Sequence, residues 1–257
     1  MLITFGVFGL KYNWFGKLVV STCYGGVMNI GKRMDVNVLV EQYAMDIDSS
    51  IPMKHSAKYQ YDILSAYFSK FDVISDAVSD ENVLMSALMM NHYLATWGMF
   101  RGSSQLSNTN TYFMVDLLAF LLNSKNGVLL PLLDRDFSSF SPCDIPLLKD
   151  TLNKIRREIA SSGVSPTDTL VSKILLGVWG QVPAYDRYFI NGVRYINGLT
   201  NYNLTQSLSA NGLVKLSIWA RQFDWHPIFS NSEFGNGAEY SLAKKVDMAL
   251  FALGKYS

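Results

Sequence analysis

Asp186 closes an apolar, proline-containing run, Val182, Pro183, Ala184 and Tyr185, and stands immediately before the amphipathic stretch that opens at Arg187. A carboxylate in that setting can cap the following helix and, being oriented by the cap, face a reacting centre in a fixed direction. Burying it requires a cation nearby, and Lys173, Arg187 and Arg101 are the available counter-ions. A second cluster lies in residues 93–104, where Trp97, Gly98, Arg101, Gly102, Ser103 and Ser104 combine an aromatic plate, a cation and small hydroxyls. Trp97 could stack on a base, while Arg101, Ser103 and Ser104 could bind phosphate or line a pocket. The same residues also fit a core tryptophan, a snorkelling arginine and a helix stop at Gly102.

Around Asp186, the side chains of Trp179, Gln181, Tyr185 and Tyr188 are candidates for a pocket lining, although each taken singly fits a core position. Asp247, on an otherwise apolar C-terminal stretch, is either a second pocket carboxylate or a helix-surface residue. Other chemistries find no pattern. His55, His92 and His226 show no metal-ligand spacing, and the run GGVMNIG at residues 25–31 lacks the ending of a phosphate loop. No GxSxG elbow accompanies Ser103 or Ser104. Neither a metal nor a cofactor is expected. Cys23 and Cys143 lie far apart and are too few for a disulfide framework, which points to a reducing, cytoplasmic setting. A monomer is expected.

The elements that must position these residues are helical. Apolar positions recur at helix spacing over residues 35–45, 61–71, 83–97, 112–122, 146–161, 170–179, 213–223 and 240–253, and alternating strand runs are scarce. Asp80 is placed to cap the third of these helices, Pro146 to sit in the first turn of the fifth, and Thr167 or Asp168 to cap the sixth. The expected fold is all-α, a helical bundle in one domain over residues 34–257. Residues 1–33 form an extension of uncertain status. Its apolar start, residues 2–10, is too short for a membrane span and has its basic residues on the wrong side for a secretory signal, so a start codon at Met28 or Met34 is one explanation. No membrane partner is expected.

The 257 residues are 49% hydrophobic and 17% charged, with a formal net charge of +1, so no global basic character advertises a polyanion. Residues 149–194 differ from the whole. Lys149, Lys154, Arg156, Arg157, Lys173, Arg187 and Arg194 outnumber Asp150, Glu158, Asp168 and Asp186 there, in a pair of helices joined by a Gly/Pro turn. Such a turn can offer backbone amides to a phosphate, and a solvated amphipathic helix would carry similar charges.

The segment SGVSPTDTLVSKILLGVWGQVPAYDRYF, residues 162–189, resembles the helix-hairpin-helix segment of the DNA glycosylase superfamily, in particular its 8-oxoguanine-glycosylase-like branch. The motifs WGMFRGSS and PAYDRYF together also resemble an uncharacterised bacterial family. The superfamily resemblance implies a two-lobed all-helical fold with Gly163 at the hairpin and Asp186 as the catalytic carboxylate. DNA with a flipped-out base would be the partner. Gly163, Ser165, Thr167, Thr169 and Arg157 would face the DNA backbone. Ser161 and Ser162 precede Gly163, and Ser165 stands where the family has a second glycine. Thr169 occupies the position of the family's nucleophilic lysine, and Lys173 lies one turn further on the same face, either substituting for it or contacting phosphate. The implied activity is hydrolytic removal of a damaged or modified base, in repair or in defence against modified phage DNA. The alternative is a non-catalytic helical module that binds DNA or another partner.

Overall fold

The computed structural model describes residues 11–12, 18–19, 35–45, 55–101 and 105–256. The 1–33 extension lies outside the described residues, except that the backbones of Lys11–Tyr12 and Leu18–Val19 pair antiparallel. From residue 35 onward the described chain is all-α: α1 Val36–Met45, α2 Gln60–Phe68, α3 Val83–Thr96, α4 Thr111–Leu122, α5 Ile145–Ser161, α6 Asp168–Val178, α7 Arg187–Leu199, α8 Ala210–Ala220 and α9 Leu242–Tyr256. None is long and apolar enough to cross a membrane.

Helix ends follow local chemistry. Pro146 lies in the first turn of α5, where its missing N–H costs no hydrogen bond. Gly163, at φ +77°, closes that helix: its N–H donates to the Ala160 carbonyl, and the Val164 N–H reaches back to Ile159. The Thr167 hydroxyl then accepts from the Leu170 N–H to start α6. Three expectations need correction. Asp80 does not cap α3, because the chain makes an extra turn and Asn82 takes the cap position without a side-chain bond. α2 stops at Phe68, since the amides of Lys70 and Phe71 close separate turns. α8 starts earlier than its apolar stripe suggests because Ser209 caps it through the Gly212 N–H.

A buried apolar cluster runs from α2 to α9, with Tyr93, Phe137, Phe140, Tyr185, Phe189 and Trp219 among its largest members. α6 lies across its middle, with every residue from Leu170 to Val178 buried. α7 and α9 pack backbone against backbone. A Cβ at Gly192 would collide with the Leu250 carbonyl, and one at Gly254 with the Tyr188 carbonyl, so glycine is required at both crossings. That close approach fixes α9 beside the start of α7, where Asp186 stands.

Candidate functional site

Asp186 is the N-cap of α7. Its Oδ1 accepts from the Phe189 N–H at 3.0 Å, which leaves Oδ2 facing the Lys173 Nζ at 3.4 Å. Lys173 has a side-chain exposure of 5%, against 17% for Asp186. The lysine belongs to the buried run Leu170–Val178 of α6, so its ammonium has to find partners inside the protein. Besides Asp186, it sits 4.9 Å from the centre of the Trp97 ring. Three residues far apart in sequence thereby meet: a carboxylate that solvent still reaches, a buried ammonium and an aromatic plate.

The stretch leading into Asp186 is strapped on two sides. The Tyr185 N–H donates to the Ser172 hydroxyl at 2.8 Å, and the Thr169 hydroxyl donates to the Tyr185 carbonyl at 2.8 Å. Both straps come from α6, the helix that carries Lys173. The third comes from α9, where Asp247 Oδ1 accepts the Ala184 N–H at 3.1 Å.

Asp247 is buried, contrary to the surface alternative, and its Oδ2 pairs with Lys244 Nζ at 2.9 Å. That ammonium lies over the rings of Tyr61 and Tyr43, at 4.6 and 5.3 Å. Burial alone would push the Lys244 ammonium down, but the adjoining Asp247 carboxylate and the phenols of Tyr43 and Tyr93 together outweigh it and hold the lysine above its ordinary value. Burial pushes the Tyr43 and Tyr61 phenols up to about 12. Sequence reasoning missed Lys244 and these tyrosines. The spacing of Lys244 and Asp247, one turn apart in an apolar helix, was the available signal.

An aromatic relay joins the two pairs. Phe251, one turn beyond Asp247 on α9, contacts Tyr43 at 5.4 Å, Trp97 at 6.4 Å and Tyr188 at 4.9 Å between ring centres. Tyr43 also lines a cleft of about 380 Å³ with Lys58, Asp62, Phe229, Tyr240 and Met248. Asp62 accepts from the Tyr240 hydroxyl and the Asn231 N–H, yet burial still raises its carboxyl above the usual range.

The remaining candidates separate into two groups. Arg101 is exposed and folds back over Gly98, its Cδ lying 3.7 Å from where a Gly98 Cβ would stand. The stop of α3 is at Gly98 rather than at Gly102: the Met99 N–H returns to the Leu94 carbonyl. Ser103 and Ser104 lie outside the described residues. Arg187 is exposed at the start of α7, where it stacks on Tyr188 and donates to its hydroxyl at 3.0 Å.

Trp179, Gln181 and Tyr185 do not join the site. Trp179 packs on Phe140, Gln181 accepts from the Phe137 N–H, and Tyr185 is fully buried against Phe189. In the extended run before Asp186, alternate side chains point to opposite sides, so Tyr185 enters the core while its neighbour faces Lys173.

The expected phosphate cradle is likewise committed internally. The amides of Gly163 and Val164 cap α5, and the Ser165 N–H donates to Gln105. The Thr167 hydroxyl caps α6, and the Thr169 hydroxyl holds Tyr185. Of the local basic excess, Lys154, Arg156 and Lys173 pair with Asp150, Asp168 and Asp186, whereas Arg157 remains exposed beside the hairpin. Among the described residues no group of His, Cys, Asp and Glu could hold a metal ion.

Comparison of the chain with family models, with curated proteins and with solved structures finds no match.

Proposed function

We propose that the chain is a DNA glycosylase that cleaves the N-glycosidic bond of a damaged or modified base and leaves an abasic site. The observation that carries this reading is the Lys173–Asp186 pair beside Trp97, in which the carboxylate is oriented by a helix N-terminus yet stays within reach of solvent. With a nucleotide flipped out, Asp186 faces the sugar. As the bond to the base lengthens, its negative charge stabilises the oxocarbenium-like centre or takes the proton of an attacking water. The water oxygen becomes bonded to the anomeric carbon, and the base departs with the bonding electron pair and gains a proton.

Trp97 adds support as a stacking plate, with a buried indole N–H that has no acceptor among the described residues. The aromatic-lined cleft at Tyr43, which is connected to Trp97 through Phe251, offers further faces for a base. Arg157 and Arg187, both exposed, would contribute salt-dependent attraction to the phosphate backbone.

A second reading rests on the same 3.4 Å contact. If Asp186 takes the Lys173 proton, the free amine can attack the sugar, expel the base and form a Schiff base with the opened ring.

Duplexes containing assorted modified bases, incubated with the protein and probed for aldehydes, test both readings. Abasic sites with wild type and none above background with Asp186→Asn are expected. A covalent DNA adduct after borohydride reduction, lost in Lys173→Gln, marks the lysine route, and its absence marks simple hydrolysis. No base release from any duplex, with salt-sensitive binding retained, would instead support the non-catalytic module.

A further inference from the structure

We propose that Lys244 and Asp247 are positioning residues for Asp186, setting its place relative to Lys173 through the backbone of Ala184; this rests on the reading of Asp186 as the catalytic carboxylate. Two of the three straps on the Asp186 stretch come from α6, the helix of Lys173. The third, from Asp247 Oδ1 to the Ala184 N–H at 3.1 Å, ties it to α9. α9 is itself locked to α7 by the glycine crossings. The catalytic carboxylate is thus held between the helix that carries its ammonium partner and the helix that packs behind its own.

A carboxylate is a stronger acceptor for a backbone N–H than a neutral group. Buried alone it would be costly, and Lys244 at 2.9 Å removes that cost. The lysine is in turn enclosed by Tyr43 and Tyr61. Burying such a pair adds little net stability compared with apolar side chains of similar size. The bond to Ala184 is the feature that apolar replacements would not reproduce. It lies two residues from the reacting group.

Two neutral double variants separate positioning from stability. Lys244→Met with Asp247→Leu removes both charges and the acceptor, whereas Lys244→Met with Asp247→Asn removes the charges and keeps an acceptor for Ala184. The Asn variant is expected to melt near the wild-type temperature, and the Leu variant lower only by the cost of one unsatisfied buried amide. On a substrate duplex, the Leu variant is expected to lose about a hundredfold in kcat with KM changed less than about threefold, as displacement of a reacting group does. The Asn variant is expected to recover to within about tenfold of wild type. A Leu variant with wild-type kcat, or an Asn variant as slow as the Leu variant, overturns the proposal.

Amide hydrogen exchange supplies a readout that needs no substrate. In the Leu variant, exchange at Ala184 and at Phe189, whose N–H is held by Asp186, should accelerate by about tenfold or more. Unchanged exchange at Phe189 would overturn the positioning role even in a protein without glycosylase activity. Faster exchange in the Leu variant, together with a wild type that releases no base from any duplex, would uphold the positioning and reject the glycosylase reading.

Discussion

Lys173 and Asp186 meet from two different helices at 3.4 Å, with the carboxylate 17% exposed, whereas Lys244 and Asp247 lie one turn apart on a single helix at 2.9 Å, with the carboxylate 9% exposed. Both lysines are enclosed to the same degree and both lie over aromatic rings. The carboxylates differ. Asp247 spends its two oxygens on Lys244 and the Ala184 amide, inside the protein. Asp186 spends one on its own helix and points the other at a looser contact that solvent can enter. A pair closed within one helix can be assembled by local geometry and serve as an anchor. A pair formed across helices depends on everything that holds those helices, and only it leaves a charged oxygen available to an outside molecule.

Breaking each pair on one side should expose that difference. Asp247→Ala leaves Lys244 buried without its counter-ion and is expected to cost about 3–5 kcal/mol in chemical denaturation. Lys173→Met leaves Asp186 with its cap bond and access to water, so a loss of about 1–2 kcal/mol is expected. Equal losses would erase the distinction. Gly192→Ala drives a methyl into the Leu250 carbonyl where α7 crosses α9, with an expected cost of about 1–3 kcal/mol and a matching loss of base release. Thr167→Ala removes only the α6 cap and should cost about 1 kcal/mol. That loss should leave the geometry of both pairs unchanged.

The tyrosines around Lys244 give the smallest test, a dependence on pH. Tyr43 and Tyr61 are raised by burial from 10.0 to about 12, so their contribution is fully present below the unfolded value and is lost as pH rises. Stability measured by denaturation should therefore fall between about pH 10 and 12, more gently in Tyr43→Phe. A slope indifferent to that change would place the alkaline transition elsewhere in the molecule.

The helices themselves were legible because their apolar stripes repeat at helical spacing, and the Thr167 and Asp186 caps because the right side chains precede those stripes. The meeting of Lys173, Asp186 and Trp97 was partly legible, since each residue stood out where it lay. Tyr43, Tyr61 and Lys244 were not. A tyrosine within an apolar stripe looks like core from the sequence, and only the packing of α9 against α1 and α2 reveals the ammonium between the rings. The hairpin was only partly legible for a related reason: a glycine turn shows that amides are free for bonding, but not that the preceding helix, and Gln105 from a distant segment, take them.

In the proposed function Asp186 performs chemistry in addition to capping α7. Asparagine caps a helix as well as aspartate does, so Asp186→Asn separates the two roles. Single-turnover base release from a duplex that wild type cleaves, measured beside the melting temperature of both proteins, decides the matter. A fall of about a thousandfold in rate, with a melting temperature lowered only by what leaving Lys173 without its counter-ion costs, is the predicted result, and a rate within about threefold of wild type would contradict it.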